Sequence, residues 1–328
     1  MTVRCNDINQ MATASNHDIE RIAKYRRVSG FAIRQQGLVL VVVLWMIAML
    51  SIIAGSVVSD GRAEIRVAIN QADRWQAVSL AEAGIYRGIA VLAANARWPT
   101  SGDIQTLVLG QDKIRLAIYD ESGRIDLNSA DPTLLQGLVA GLGLTSMQQG
   151  HWLDVLADWK DPDSLTRLQG AEDDEYFQKG YRYGAKDGGF ESVSELRQLL
   201  SMDDNLYRKL APALTVHSLQ RGVNPAVASE RVLRTLPGVD NQQLQAYIQQ
   251  RKMAWQMDGK PPKAPNFPRQ LLTTESGHVF SLFSEGVTES GARAKILAMV
   301  RMAPRQQPPY SVLSWQQANW FPEDTKAE

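Results

Sequence analysis

The sequence predicts an α+β protein in which one long N-terminal helix packs on an antiparallel sheet, with a large all-α segment inserted between the strands. Three observations predict it. From Leu38 to about Ala94 the chain has no proline and carries apolar residues at helical spacing, and the first proline of this region is Pro99. The stretches IQTLVLGQ and DKIRLAIYDESGRIDL, then HVFSLFSEGV, ARAKILAMVRMA and PYSVLSWQQA near the other end, alternate apolar and polar residues as strands of a half-exposed sheet do. Between them, from Ser129 to Pro268, the signals are helical. The expected divisions are 1–37 as a leader, 38–58 as a membrane-crossing half-helix, 59–128 as amphipathic helix and first strands, 129–268 as inserted helical domain, and 269–328 as closing strands and tail.

The helix comes first. LVLVVVLWMIAMLSIIAGSVV, Leu38 to Val58, is 21 residues without a charge, which at about 1.5 Å per residue spans a hydrocarbon core of roughly 30 Å. Up to Gly37 there are six basic residues, Arg4, Arg21, Lys24, Arg26, Arg27 and Arg34, against the acids Asp7, Asp18 and Glu20. Five of the six lie between Arg21 and Arg34, so the positive-inside rule places the first 37 residues in the cytoplasm and everything after Ser59 across the membrane. A cleaved secretory signal fits worse, because its apolar region runs about 7 to 15 residues. Beyond the membrane Ile65, Ile69, Ala72, Trp75 and Val78 continue one apolar stripe. The whole helix is a rod of roughly 85 Å, half in lipid and half amphipathic.

Two sites in the inserted region look alike. LNSADPTLLQGLVAGLGL, 127–144, and VNPAVASERVLRTLPGV, 223–239, each give a polar cap, a proline in the first helical turn, an apolar-periodic helix and a hairpin glycine, Gly143 or Gly238. Both resemble helix-hairpin-helix (SAM-like) units. GFESVSELRQLL between them starts a further helix with a capping box from Ser192 to Glu195. In DNA-binding relatives of such units the hairpin amides bind phosphate with nearby basic residues, but the first copy has no lysine or arginine from Leu127 to Gly150. A compact packing unit is therefore favoured over nucleic-acid binding.

The chain has 328 residues, 44% hydrophobic, with 35 basic and 35 acidic side chains. That is enough for one large or two modest cores, and a zero net charge gives no overall field toward nucleic acid or anionic lipid. Cys5 is the only cysteine, which excludes an intrachain disulfide, and His17, His151, His217 and His278 are too scattered for a zinc motif. No glycine-rich phosphate loop or nucleophile elbow occurs, so an enzyme is not expected. The acidic group Asp158, Asp161, Asp163, Glu172, Asp173, Asp174 and Glu175 is dense in the hard oxygen donors that calcium takes, about six to eight at a time, although its spacing is not an EF-hand. The same residues read equally as a solvated loop turning at Asp161-Pro162. Trp152, Trp159, Trp255, Trp315 and Trp320 are assigned mostly to core.

Basic residues, then Gly37, then an apolar helix at once resemble a type IV prepilin leader, and the fold implied is pilin-like. The resemblance makes Gly37 the scissile position of a prepilin peptidase and Leu38 the N-methylated mature terminus. Major pilins carry glutamate at the fifth mature position, where its charge pairs with a neighbour's amino terminus in lipid. Here that position is Val42, which suits a subunit sitting where no such partner is needed, at a filament tip.

The pieces DLN (126–128), DWKDPD (158–163), GAEDDEY (170–176), ELRQLL, LAPALTV (210–216) and VNPA (223–226) occur in the order of the minor pseudopilin K family of type II secretion (general secretion pathway protein K). The resemblance runs from Arg34 to the last strand and includes the missing glutamate. Departures are the 37-residue leader and the absence of the cysteines that some members pair. It implies a single-pass protein of the bacterial inner membrane, its amino terminus cytoplasmic and its globular part periplasmic. It also implies a tip heterotrimer with other minor pseudopilins, contact with the major pseudopilin and the inner-membrane assembly platform, no required cofactor, and a structural calcium on Asp158, Asp161, Asp163, Glu172, Asp173 and Asp174. The alternative from another class is a membrane-anchored DNA-uptake receptor using the hairpin units.

Overall fold

In the computed structural model, residues 36–257, 261–318 and 321 are described. The chain divides into two compact units, one ending at Ile65 and one running from Arg66. The leader proposed for 1–37, His17, Cys5 and Trp320 lie outside the described residues, apart from the helical backbone at Gln36 and Gly37.

Helix α1 runs Gln36–Ala93, within two residues of the predicted span at either end. In the first unit its apolar side chains from Leu38 to Gly55 are exposed, and this stretch is long and apolar enough to cross a membrane. In the second unit the repeat Ala77, Ala81, Ile85, Ile89 puts one residue per turn on a single face, and all four are buried. The helix stops at Asn95, in the left-handed region at φ 48°, where the amides of Asn95 and Ala96 turn back to the carbonyls of Leu92 and Val91.

Strands β1 (Gln105–Leu109) and β2 (Asp112–Asp120) follow as a hairpin. The chain then leaves the sheet through a short 3₁₀ turn at Glu121–Gly123, capped by Asp120 accepting from the Ser122 amide at 2.9 Å. Strand β3 (Ile125–Asp126) comes next, before helices α2 (Pro132–Ala140), α3 (Ser146–Asp158), α4 (Asp173–Gln178) and α5 (Asp204–Leu210). Strand β4 (Leu214–Thr215) is followed by α6 (Glu230–Leu233) and α7 (Asn241–Gln256). The sheet closes with β5 (Val279–Val287), β6 (Arg293–Met302) and β7 (Tyr310–Gln317).

The sheet is antiparallel in the order β1-β2-β5-β6-β7, so the helical segment interrupts it between β2 and β5 as the sequence predicts. One face packs on α1 through Leu116, Ile118, Leu282, Ala298 and Val300. Close approach depends on missing side chains: a Cβ on Gly286 would lie 2.2 Å from the Ala77 carbonyl oxygen, and one on Gly84 would lie 2.1 Å from Ser284 Oγ. On the opposite face Phe321 covers Ala117 and Phe283, with the Arg115 guanidinium 4.8 Å over its ring. The helices share a separate core around Leu134, Trp152, Trp159, Tyr176, Leu196, Leu233 and Leu244.

Three expectations are corrected. DKIRLAIYDESGRIDL supplies one strand of the large sheet rather than two: its end, β3, pairs in parallel with β4 as a separate two-residue ladder. Buried Asp126 holds it there by accepting from the amides of Asn128, Ser129 and Leu219 at 2.9, 3.1 and 2.9 Å. The ELRQLL segment is a 3₁₀ turn, Val193–Gln198, and not an α-helix; Glu195 accepts from the Ser192 amide as predicted, but Leu196, Leu199 and Leu200 all turn inward and the chain straightens at Leu199. The second repeat starts late, because Asn224 folds Pro225–Ala228 into a turn by accepting from the Ala226 amide at 3.0 Å, and α6 begins only after the Ser229 cap. Its hairpin glycine matches the first: Gly143 and Gly238 both have φ 73°.

Trp152 and Trp159 are core, whereas Trp255 is half-buried and Trp315 exposed.

Candidate functional site

The acidic region is built from the end of α3 and the start of α4. Helix α3 is fixed at its start by a capping box between Thr145 and Gln148, and it ends in buried Asp158 and Trp159. The Asp-Pro-Asp turn follows, with the amides of Lys160 and Asp161 both bonded to the Ala157 carbonyl. Lys160 Nζ donates to the Leu127 carbonyl at 2.8 Å and so ties the turn to the end of β3. Burial pulls the Lys160 pKa below its ordinary value.

Asp158 is fully buried and would be untenable as an isolated charge. Arg167 resolves this: its amide donates to Asp158 Oδ2 at 3.2 Å, while its guanidinium Nη1 donates to both Asp158 Oδ1 and Asp161 Oδ2. Hydrogen bonds to both carboxylates hold the guanidinium more firmly protonated than usual. The chain passes so close to Asp158 that a Cβ on Gly170 would sit 1.8 Å from Oδ2.

Glu172 precedes α4 and is 5% exposed. Burial, and then the charges of Asp158, Asp161, Asp187 and Asp163, push its carboxyl up to about 7. Two carboxylate oxygens in this region, Asp161 Oδ1 and Glu172 Oε1, are buried without a hydrogen-bond partner. Asp163 is exposed and accepts from the Leu165 amide at 2.9 Å. Asp173 and Asp174 lie exposed in the first turn of α4, the Asp173 carboxylate over the bare backbone of Gly184. Below lies an aromatic floor in which Trp159 stacks on Phe190 at 6.3 Å and meets Tyr176 at 5.9 Å, with the Tyr176 hydroxyl accepting from the Leu200 amide at 3.1 Å.

Of the six predicted ligands, Asp158 and Asp161 are thus joined through Arg167, and Glu172 feels the charges of Asp158, Asp161 and Asp163. Asp173 and Asp174 stand apart on the helix surface. As the side chains are placed, no group of three carboxylate, histidine or cysteine side chains among the described residues converges on one point suited to a metal ion. The guanidinium of Arg167, exposed and on a loop, supplies the positive charge instead. Sequence reasoning missed Arg167 and Asp187; the Asp187-Gly188-Gly189 turn was the available signal for the second.

At the other candidate position, the backbone of Gly37 and Leu38 is helical and Val42 presents an exposed apolar side chain.

A family model described as type II secretion system (T2SS), protein K, matches residues 104–218, from before β1 through β4 to Ser218. The chain is similar to the type II secretion system protein K of Pseudomonas aeruginosa, 29% identical over 66% of this chain and 72% of that protein. It is also similar to the proteins of that name from Pectobacterium carotovorum (30% identical, over 38% of this chain and 43% of that one) and Klebsiella pneumoniae (25%, over 58% and 66%). Among solved structures, a chain of the crystal structure of the GspK-GspI-GspJ complex from the enterotoxigenic Escherichia coli type 2 secretion system shares the fold, with a TM-score of 0.52 and 18% identity over 79% of this chain and 99% of that one.

Proposed function

We propose that the chain is a member of the type II secretion system protein K family, as the match over residues 104–218 and the similarity to the Pseudomonas aeruginosa protein support, and that it is a minor pseudopilin that forms or caps the tip of a periplasmic pseudopilus and supports export of folded proteins. The observation carrying this reading is the division of α1: bare and apolar from Leu38 to Gly55, seated on the antiparallel sheet through Ala77, Ala81, Ile85 and Ile89. A helix so divided can lie in lipid and in a helix bundle while holding a folded head outside.

In this reading the amino terminus is cytoplasmic, the head periplasmic, and prepilin peptidase cuts after Gly37 to expose Leu38 for N-methylation. With Val42 at the fifth mature position the subunit has no carboxylate there for a neighbour's amine, which fits a tip position beside other minor pseudopilins, above the major pseudopilin and the assembly platform. Pairing with other minor pseudopilins is supported by the Escherichia coli structure, a complex of GspK with GspI and GspJ. The helical segment, with its two helix-hairpin-helix pairs α2–α3 and α6–α7, is the bulk that blocks further addition. No observation favours the DNA-uptake alternative: the turn 141–145 carries no basic residue, and Arg234 of the second pair is engaged by Glu230 and Asn241.

The acidic region suits a structural calcium chemically, because its donors are hard oxygens and two of them are buried without partners. Asp158, Asp161, Asp163 and Glu172 would hold the ion, which would supply positive charge and cross-link the α3–α4 loop, with Arg167 released to solvent. Asp173 and Asp174 would join only by movement of α4.

The test is intact mass of the chain co-expressed with a prepilin peptidase. A species beginning at N-methylated Leu38 is expected. A chain that stays uncut beside an active peptidase and a processed control substrate would sink the pseudopilin reading.

A further inference from the structure

Away from the acidic region, the loop leaving α1, the start of β1 and the end of α7 enclose a cavity of about 810 Å³, a size typical of ligand sites. Its ionisable lining is Arg97, Arg251 and Lys252 against Asp103, which already accepts from Ser101 Oγ at 2.5 Å. The Arg97 guanidinium lies 4.7 Å over the Trp255 ring and donates to the carbonyls of Ala254 and Trp255 at 3.0 and 3.1 Å. Arg251 Nη1 donates to the carbonyls of Pro225 and Ala228 at 2.9 and 2.7 Å, and among the described residues it makes no ion pair. Burial lowers its pKa, a shift that Tyr247 and the charge of Asp103 offset only in part. Trp98 Nε1, also at the cavity, is buried without an acceptor.

Ile104 and Gln105 line the cavity, and Gln105 is the first residue of β1, an edge strand of the sheet. The strand, QTLVL, has no charge or proline to discourage pairing, and Val108 and Leu109 are 68% and 62% exposed. A strand added along β1 therefore ends at the cationic cavity.

We propose that β1 and this cavity receive an extended acidic segment of a partner protein, its backbone pairing with the edge of β1 and its carboxylates meeting Arg251, Lys252 and the Trp98 indole N–H. Strand addition gives the affinity and the cavity gives the charge selection. The assignment is independent of the calcium and processing readings.

The test uses the full chain in detergent micelles and fluorescence anisotropy with a labelled peptide of alternating valine and aspartate. Two further peptides serve as comparisons, one with lysine for aspartate and one with proline for valine, which keeps the charge but cannot pair as a strand. Binding of the aspartate peptide at least tenfold tighter than either comparison is expected, weakened at least tenfold by Lys252→Glu. Gln256→Glu, at another exposed lining position, should weaken it in the same direction. Equal binding of the proline peptide, which would mark a general anion site such as one for a lipid headgroup, overturns the proposal. So does indifference to both substitutions, or no binding of the aspartate peptide.

Discussion

If α1 is seated on β5 as closely as the glycine contacts require, Gly286→Ala should be among the most damaging single-methyl additions in the molecule. The new Cβ would lie 2.2 Å from the Ala77 carbonyl oxygen and 2.7 Å from the Ala81 amide nitrogen, both backbone atoms of a helix that cannot rotate away. Relief requires lifting the helix by about 1 Å. A gap of that size forfeits about a quarter to a half of each dispersion contact, and the residues losing contact include Ala77, Leu80, Ala81, Ile85 and Ile89, all buried on this face. With about 1.5–3 kcal/mol for burying an isoleucine and about 1–3 kcal/mol for a typical overpacked methyl, a loss of about 3 kcal/mol is expected. At roughly 2–4 °C per kcal/mol for a unit of this size, thermal unfolding should move down by about 10 °C. The control is Gly110→Ala in the β1–β2 turn, where φ is 65° but nothing lies within 4 Å of the added methyl; it should cost about 1 kcal/mol from backbone strain alone. A Gly286→Ala protein no less stable than Gly110→Ala would refute the close seating.

Glu172 makes stability depend on pH. Its carboxyl is raised from an ordinary 4.5 to about 7 in the folded chain, so in chelator its contribution is fully present below about 4.5, falls by up to about 3 kcal/mol as pH rises to about 7, and stays flat above. Glu172→Gln should lack that decline, and added calcium should restore the native chain above pH 7 more than the variant; parallel unfolding profiles across pH 4.5–8 would contradict both the titration and the metal reading. Asp126→Ala leaves the amides of Asn128, Ser129 and Leu219 without their acceptor and should cost about 3–5 kcal/mol by urea unfolding, whereas a loss under 1 kcal/mol would show that the β3–β4 ladder does not depend on it.

Much of the architecture was legible because it is periodic. A proline-free run with one apolar residue per turn gave α1 to within two residues, and alternation gave β1, β2 and the closing strands. The ladder of β3 and β4 escaped because two residues have no period, and its position is set by the side chain of Asp126 reaching residues more than ninety positions away. The late start of α6 escaped for a local reason: Asn224 competes for the backbone with the helix that Pro225 could have begun. In the acidic region, density of charge marked the right segment but could not rank its members. Glu172 reads in sequence like Asp173 and Asp174 beside it, yet one is buried and the others face water. The part played by Arg167 depends on the loop folding back on Asp158, which composition cannot express.

The β3–β4 ladder also bears on how such a fold can change over time. The chain departs at Asp126 and returns at Leu214 to neighbouring strands, and a second excursion is closed at its root where Val223 bridges Leu272. Each loop of helices begins and ends at almost one point, as tolerated insertions do. Mass can therefore be gained or lost beyond either doorway while the sheet keeps its register on the buried face of α1, so that the size of the helical segment and the packing of the sheet are free to evolve separately.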